Sequence, residues 1–263
     1  MHGTRNTTGD GRPLLSLGEL TLHYVAAVRI CLRRHTYRRE LLEQSRHMLT
    51  ASFVPLLLAG LGFGAIVSLE AGHLLRAAGA GYRLGSFTAI SNIRVFSPVA
   101  TGLLMAVVSG TSVVADLGTR QVRSELEAFD VTALSRVLCI VVPRAHALML
   151  VTALSNFLMI VITTLASYFA GVVVVGVEPG RFVAGFFMRG TLVDVVGSEI
   201  KTLAFGAIVA AVCIERGLSA RGGAEGVARA VRSSVLWSFL AITVLDYLFT
   251  PTMLALFHDQ LML

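Results

Sequence analysis

The sequence predicts an all-α integral membrane protein with about five transmembrane helices. Hydrophobic residues make up 55% of the chain and charged residues only 14%. The mean hydropathy of +0.75 is higher than that of water-soluble domains. Apolar runs also recur, each long enough to cross a hydrocarbon core of about 30 Å as a helix. The helix satisfies the hydrogen bonds of the backbone, for which lipid offers no partner.

Five predicted spans follow in order. Three runs have the required length and contain no Asp, Glu, Lys or Arg: residues 48–69, 95–115 and 145–177. Residues 195–214 form a fourth span, although Glu199 and Lys201 lie in its first third, where we expect them near the membrane interface with the lysine snorkelling. Residues 233–257 form the fifth span, and we expect Asp246 within it to bond a neighbouring helix.

The basic residues predict the orientation of the chain. Sixteen of the 22 lysines and arginines lie in the N-terminal segment and in the connections between spans two and three and between spans four and five. Because basic connections stay inside, we expect the N-terminus in the cytoplasm and the C-terminus outside. Residues 1–47 are then cytoplasmic, 48–257 form the membrane domain and 258–263 a short outer tail. Arginine that sets topology gives no reason to expect nucleic-acid binding.

The N-terminal segment has an amphipathic helical pattern. Its apolar residues recur at spacings of three and four and precede the basic run RRHTYRR: Leu17, Leu20, Tyr24, Val28 and Cys31. This pattern predicts a helix on the inner membrane surface, the alternative being a helix packed on protein.

A charged stretch interrupts the apolar runs between the second and third spans. From Leu117 onward its apolar residues share one helical face: Val122, Leu126, Phe129 and Ala133. Arg120, Arg123 and Glu127 lie away from that face. The periodicity alone fits a docking helix and a solvated connecting helix equally well.

Two long runs resemble the MlaE/YrbE permeases, the membrane subunits of MCE-type lipid ABC transporters, with an actinobacterial YrbE-like character. The first is SPVATGLLMAVVSGTSVVADLGTRQVRSELEAFDVTALSRVLCIVVPR, residues 97–144. The second is RGLSARGGAEGVARAVRSSVLWSFLAITVLDYLFT, residues 216–250. The resemblance implies an N-terminal interfacial helix, five spans, and a cytoplasmic coupling helix between the second and third spans.

The resemblance also implies a function and a site. The coupling helix would dock into a cytoplasmic ABC ATPase through Asp116, Gly118, Arg120, Arg123, Glu125, Leu126, Phe129 and Asp130. The chain itself would be a non-catalytic permease subunit of the inner (plasma) membrane, without a cofactor or metal, since ATP would be bound by the ATPase. Other implied partners are a second permease subunit, MCE proteins outside, and a lipid such as a fatty acid, sterol or phospholipid.

The chain departs from the family pattern at two charged positions. Val95 replaces the usual glutamate and Ser109 the usual arginine, which suggests that a buried charged pair has been lost. We therefore expect a heterodimer with a paralogous permease, although a homodimer stays open.

Gly60 and Gly64 have GxxxG spacing and predict close helix packing, either inside the subunit or at a dimer seam.

A channel or secondary transporter without an ATPase is the alternative function, and an intramembrane lipid-modifying enzyme is a third. The sequence shows few intramembrane charges for the former and no catalytic cluster for the latter.

Overall fold

The computed structural model describes residues 35–124 and 141–256, and within these ranges the chain is almost entirely helical, with no strand. Five segments are long and apolar enough to cross a membrane: Arg38–Ala77, Gly81–Val122, Val142–Val174, Leu192–Leu218 and Gly223–Phe249. Each overlaps one predicted span, so the prediction of five spans is confirmed. The predicted N-terminal interfacial helix and the C-terminal tail lie outside the described residues.

The first span belongs to helix α1, His35–Ala77, which has 43 residues. At 1.5 Å per residue it is about 65 Å long, roughly twice the thickness of the hydrocarbon core. It therefore extends well beyond the predicted span at residues 48–69.

The second span is assembled from three short helices, α2 (Leu84–Ile90), α3 (Ser97–Met105) and α4 (Thr111–Val122). Two π-helical turns, Ser91–Phe96 and Ala106–Gly110, join them. A π-helical turn inserts one extra residue and rotates the helix face that follows it, and such turns are frequent at functional sites.

The remaining helices are α5 (Val142–Phe169), α6 (Pro179–Arg189), α7 (Leu192–Leu218) and α8 (Gly223–Leu256). The short helix α6, between the third and fourth spans, was not predicted. It begins at a proline and ends just before Gly190, the usual arrangement at helix ends.

The main core takes side chains from all five spans, with Met48 as the buried contribution of the first. Met105, Leu148, Phe205 and Ile242 each come from a different one of these spans and are fully buried. These side chains fix the relative positions of the four helices by close packing.

The first span packs most closely against α5. A Cβ atom built on Gly60 would lie 2.7 Å from Ile162 Cγ2, and one built on Gly64 would overlap the carbonyl oxygen of Thr163. Ser167 Oγ donates a hydrogen bond of 2.8 Å to the Gly64 carbonyl. The two glycines therefore pack against α5 within the subunit.

Replacement of Gly64 by alanine should destabilise the protein by about 1–3 kcal/mol, because the new methyl group meets backbone atoms of α5. Gly62→Ala is the matched control, since a Cβ there has nothing within 4 Å. Thermal unfolding of the purified variants in detergent measures both. Equal transition temperatures for the two variants would contradict the contact.

Candidate functional site

The bundle has two ends with different chemistry. The Asp116 end contains the beginning of α1, the end of α4, the beginning of α5, and the connection from α7 to α8. The Asp194 end contains the end of α1, α2, α6 and the beginning of α7. Residues of the predicted coupling site that the structure describes lie at the Asp116 end.

Asp116 is the centre of a cluster of charges. Its Oδ1 accepts a hydrogen bond of 2.9 Å from Arg120 Nε, one turn along α4. Its Oδ2 accepts one of 2.6 Å from Arg144 Nη2, at the beginning of α5. Because the Arg144 side chain is only 6% exposed, this bridge ties the end of the second span to the start of the third.

The same side chains line a polar cavity of about 290 Å³. Gln44 and His47 of α1 contribute to its wall beside Asp116. The first three spans therefore meet around one charged cavity at this end.

Gly118 holds α4 against the beginning of α8. A Cβ built on Gly118 would lie 3.2 Å from Ala220 Cβ and 3.4 Å from Val227 Cγ1. On the same side of α4, Leu117 is fully buried against Gly217 of α7. Gly118 thus packs inside the subunit, and Asp116 pairs within it, so a role for either in coupling would act through these contacts.

Arg120 and Arg123 lie at the end of the described part of this segment. Helix α4 is the continuation of the second span and ends at Val122, followed by Ser124 with φ of 56°. The N-terminal half of the predicted charged helix is thus part of the second span. The other predicted coupling residues, Glu125, Leu126, Phe129 and Asp130, lie outside the described residues.

A second group of charges begins at the Asp194 end and runs into the membrane domain. Asp194 accepts a hydrogen bond of 2.7 Å from Arg94 Nε of the second span, and its side chain is 4% exposed. Asp194 also forms a capping box with Thr191 at the beginning of α7.

Lys201 extends this group towards the fifth span. Its ammonium donates to the Arg94 carbonyl at 3.2 Å and forms an ion pair with Asp246 of α8. Lys201 is 3% exposed, so the prediction that it snorkels at the interface is wrong: a partner on each neighbouring span replaces the water that snorkelling would reach. Asp246 does bond a neighbouring helix, through its charge.

Polar contacts also join the third and fourth spans. Asn156 Nδ2 of α5 donates to Ser198 Oγ and to Glu199 Oε1, both at 3.0 Å.

The sequence contained one indication of the charged group at the Asp194 end. The spacing of Thr191 and Asp194 is that of a capping box. The pairing of Arg94, Asp194, Lys201 and Asp246 depends on helix rotation and needed the structure.

The two departures from the family pattern have separate surroundings. Ser109 Oγ shares a buried hydrogen bond of 3.0 Å with Ser52 Oγ of α1, whereas Val95 is 38% exposed. Both positions lie on the second span, 14 residues and about 20 Å apart. A glutamate and an arginine at these positions of one subunit would not reach each other across that distance, and the loss of a buried charged pair stays a prediction.

Comparison with known proteins gives a consistent result. The family model Permease MlaE matches residues 41–252. A probable ABC transporter permease protein of Rickettsia bellii is 23% identical over 89% of this chain and 91% of its own. The intermembrane phospholipid transport system permease protein MlaE of Haemophilus influenzae is 26% identical over 81% of this chain and 82% of its own. A probable ABC transporter permease protein of Synechocystis is 26% identical over 80% of each chain.

Replacement of Lys201 by methionine should lower the free energy of unfolding by about 3 kcal/mol, because it leaves the charge of Asp246 without its partner inside the bundle. The double variant Lys201→Met/Asp246→Leu should regain at least half of this loss. Unfolding by titration with sodium dodecyl sulfate measures the double-mutant cycle.

Arg229→Gln is the control for this cycle. Arg229 and Glu225 form an exposed pair with Nη1 and Oε1 3.8 Å apart, so the change should cost less than about 0.5 kcal/mol. A double variant as unstable as the sum of its single changes would show that Lys201 and Asp246 are not coupled.

Proposed function

The chain belongs to the MlaE permease family, and we propose that it moves lipids across the cell envelope as the permease subunit of an ABC transporter whose ATP is hydrolysed by a separate subunit. One observation carries the proposal: the family match, residues 41–252, includes almost all of the described bundle and reaches from the first span to the fifth. The lipid is supported by the name of the Haemophilus influenzae relative, a permease for intermembrane phospholipid transport.

We place the Asp116 end in the cytoplasm of a cell with this chain in its inner (plasma) membrane. Arginines concentrate at that end, which the positive-inside rule assigns to the cytoplasm: among them are Arg120, Arg123, Arg144, Arg216, Arg221 and Arg229. The C-terminus then faces outwards. The ATPase would approach the exposed residues that follow Gly118.

The contacts of α4 support a coupling role for this end. A force applied near Arg123 acts on α4. This helix is bonded to α5 through Asp116 and packs against α8 at Gly118. The Asp116 contact is a directional, hydrogen-bonded ion pair, and the Gly118 contact is close apolar packing. Movement of the docked segment would therefore reach the third and fifth spans without passing through a flexible linker.

The surface of the fifth span supports assembly with a second permease. Only 17% of the most apolar stretch of this span is buried within the chain, whereas 56% of the corresponding stretch of the second span is buried. Leu236, Val244 and Leu248 are each more than half exposed. We propose that a paralogous permease covers part of this surface, forming a cavity between subunits lined by spans one, two and five.

MCE proteins would meet the Asp194 end on the outer side and receive or deliver the lipid. Apolar walls suit this cargo: a cavity of about 400 Å³ between α7 and α8 is lined entirely by apolar and aromatic residues, including Trp237. Such walls accept acyl chains of many lipid classes.

A secondary transporter without an ATPase is the second candidate, and a specific observation favours it. Arg94 pairs with Asp194, and Lys201 pairs with Asp246 and donates to the Arg94 carbonyl, so two neighbouring ion pairs reach into the membrane domain, where charged groups are common on ion pathways. Co-purification separates the two candidates. An ATPase subunit bound to the chain supports the ABC transporter.

Arg123→Glu should reduce the amount of ATPase subunit that co-purifies with the tagged chain from native membranes by about tenfold, or about 1.4 kcal/mol, because it reverses a charge in the docking segment. Quantitative mass spectrometry of the purified complex measures the ratio. Phe129→Ala should have a similar effect through loss of an apolar anchor.

Arg221→Glu is the control for this experiment, since Arg221 is an exposed arginine at the same end. It should leave the ratio unchanged. Equal losses for Arg123→Glu and Arg221→Glu would point to the overall charge of this end and contradict a docking segment, and the absence of any ATPase from the unmodified chain would contradict the ABC transporter.

A further inference from the structure

Three arginines line one cavity at the Asp194 end. The cavity has a volume of about 880 Å³ and lies between the end of α1, the beginning of the second span, and α6. Arg83 comes from the turn before α2, and Arg181 and Arg189 from the two ends of α6. The volume is within the range of cavities that hold small organic ligands.

The charge of this cavity is unusual for its position. If this end faces outwards, its connections and span ends hold only six basic residues, and two of these, Arg94 and Lys201, are used in ion pairs between spans. Three of the other four line the cavity. The fold thus brings three arginines together from two separate elements.

Among the residues that the structure describes, none that lines the cavity is acidic. Arg181 Nε bonds Glu178 Oε2 at 2.9 Å, but both side chains are well exposed and such surface pairs are weak. The Arg83 guanidinium lies 5.6 Å from the centre of the Tyr82 ring. The electrostatic character of the cavity is therefore positive and suits an anion.

Apolar side chains line the same cavity. Phe87 and Ile90 of α2 lie on one side and Met188 of α6 on the other. Met188 is 73% exposed and Phe87 46% exposed, so both present apolar surface. A ligand that fits both parts of the wall has an anionic group and an apolar body.

The two helices that carry these residues are held in fixed positions. A Cβ atom on Gly85 would overlap the carbonyl oxygen of Phe182, and Ser86 Oγ donates a hydrogen bond of 2.9 Å to the Gly185 carbonyl. Phe182 itself is 1% exposed. The arginines therefore lie on elements that are in direct backbone contact, α6 and the turn that leads into α2. This contact fixes the positions of the arginines before a ligand binds.

We propose that this cavity binds an amphiphile with an anionic headgroup, either a carboxylate or a phosphate, with the arginines on the headgroup and the apolar residues on the acyl chain. Guanidinium groups bind both anions through paired hydrogen bonds. The proposal deepens the proposed function and rests on it for the orientation of the chain. It places a lipid site within one subunit, apart from the cavity between subunits.

Photolabelling of the whole purified chain in detergent tests the site. The probes are a diazirine-bearing fatty acid and a diazirine-bearing phosphatidylglycerol, with the matching fatty alcohol and diacylglycerol as probes that carry no anionic group. We expect the anionic probes to label peptides containing residues 82–90 and 184–189. Labelling by the fatty acid alone identifies a carboxylate ligand, and labelling by phosphatidylglycerol a phosphate ligand.

The triple change R83Q/R181Q/R189Q should reduce this labelling about tenfold. Arg76→Gln should not, because Arg76 is an exposed arginine at the same end that does not line the cavity. Arg189→Gln alone should give a smaller reduction in the same direction, which keeps the test valid if the triple variant does not fold. The size-exclusion profile of each variant reports folding.

The apolar half of the site has a matched pair of variants. Met188 and Phe187 are neighbours with the same exposure of 73%, but only Met188 lines the cavity. Met188→Ser should lower labelling severalfold, whereas Phe187→Ser should leave it unchanged.

The proposed site would be wrong if the fatty alcohol labelled the chain equally well, or if labelling survived the triple change. The cavity would then be a surface for a protein partner. Because labelling uses the isolated chain, its failure leaves co-purification of the ATPase as the test of the proposed function. Labelling without an ATPase partner would support the site while contradicting the transporter.

Discussion

Hydrocarbon offers no hydrogen-bond partner, and this constraint accounts for the pairing of polar side chains between the spans. Ser68 Oγ donates to the Ser167 carbonyl and Ser167 Oγ donates to the Gly64 carbonyl, each at 2.8 Å. Asn92, in the first π-helical turn of the second span, donates to Ser167 Oγ at 2.9 Å. Three spans are thus bonded to one another where two helix backbones touch, and small side chains at that point satisfy polar groups as well as permitting close packing.

The two ends of the bundle hold their charges under different conditions. Asp116 is 38% exposed and Arg120 37% exposed, so water screens this bridge and its rearrangement costs little, whereas Arg144 is 6% exposed and should keep its bridge to Asp116. Asp194 and Lys201 have side chains only 4% exposed, and separating either from its partner would leave a buried charge uncompensated. The parts of spans two, four and five near Asp194 should therefore move together. Larger changes of geometry are easier at the Asp116 end, where the proposed ATPase would act.

The number and order of the spans could be predicted because lipid imposes a minimum length and polarity on each of them. The GxxxG spacing likewise predicted that a neighbouring helix packs closely at Gly60 and Gly64. The partners of Lys201 could not be predicted, because they depend on how each helix is rotated about its axis, and two π-helical turns change that rotation within the second span. Helix α6 is too short and too mixed in composition for a length criterion, and its anchor, Phe182, is recognisable only from its burial.

Helix α8 connects the two ends mechanically. Its beginning is held against α4 at Val227, and Asp246 holds it to Lys201 some 19 residues further on, a distance of about 28 Å along the helix axis. Most of the apolar cavity shared with α7 lies between these two attachments, from Trp237 to Leu245. A helix pushed at one attachment and held at the other tilts about the held point. Under the proposed function, displacement of α4 by an ATPase would therefore change the separation of α7 and α8 along an apolar wall, while the buried ion pair keeps the outer part of the bundle closed.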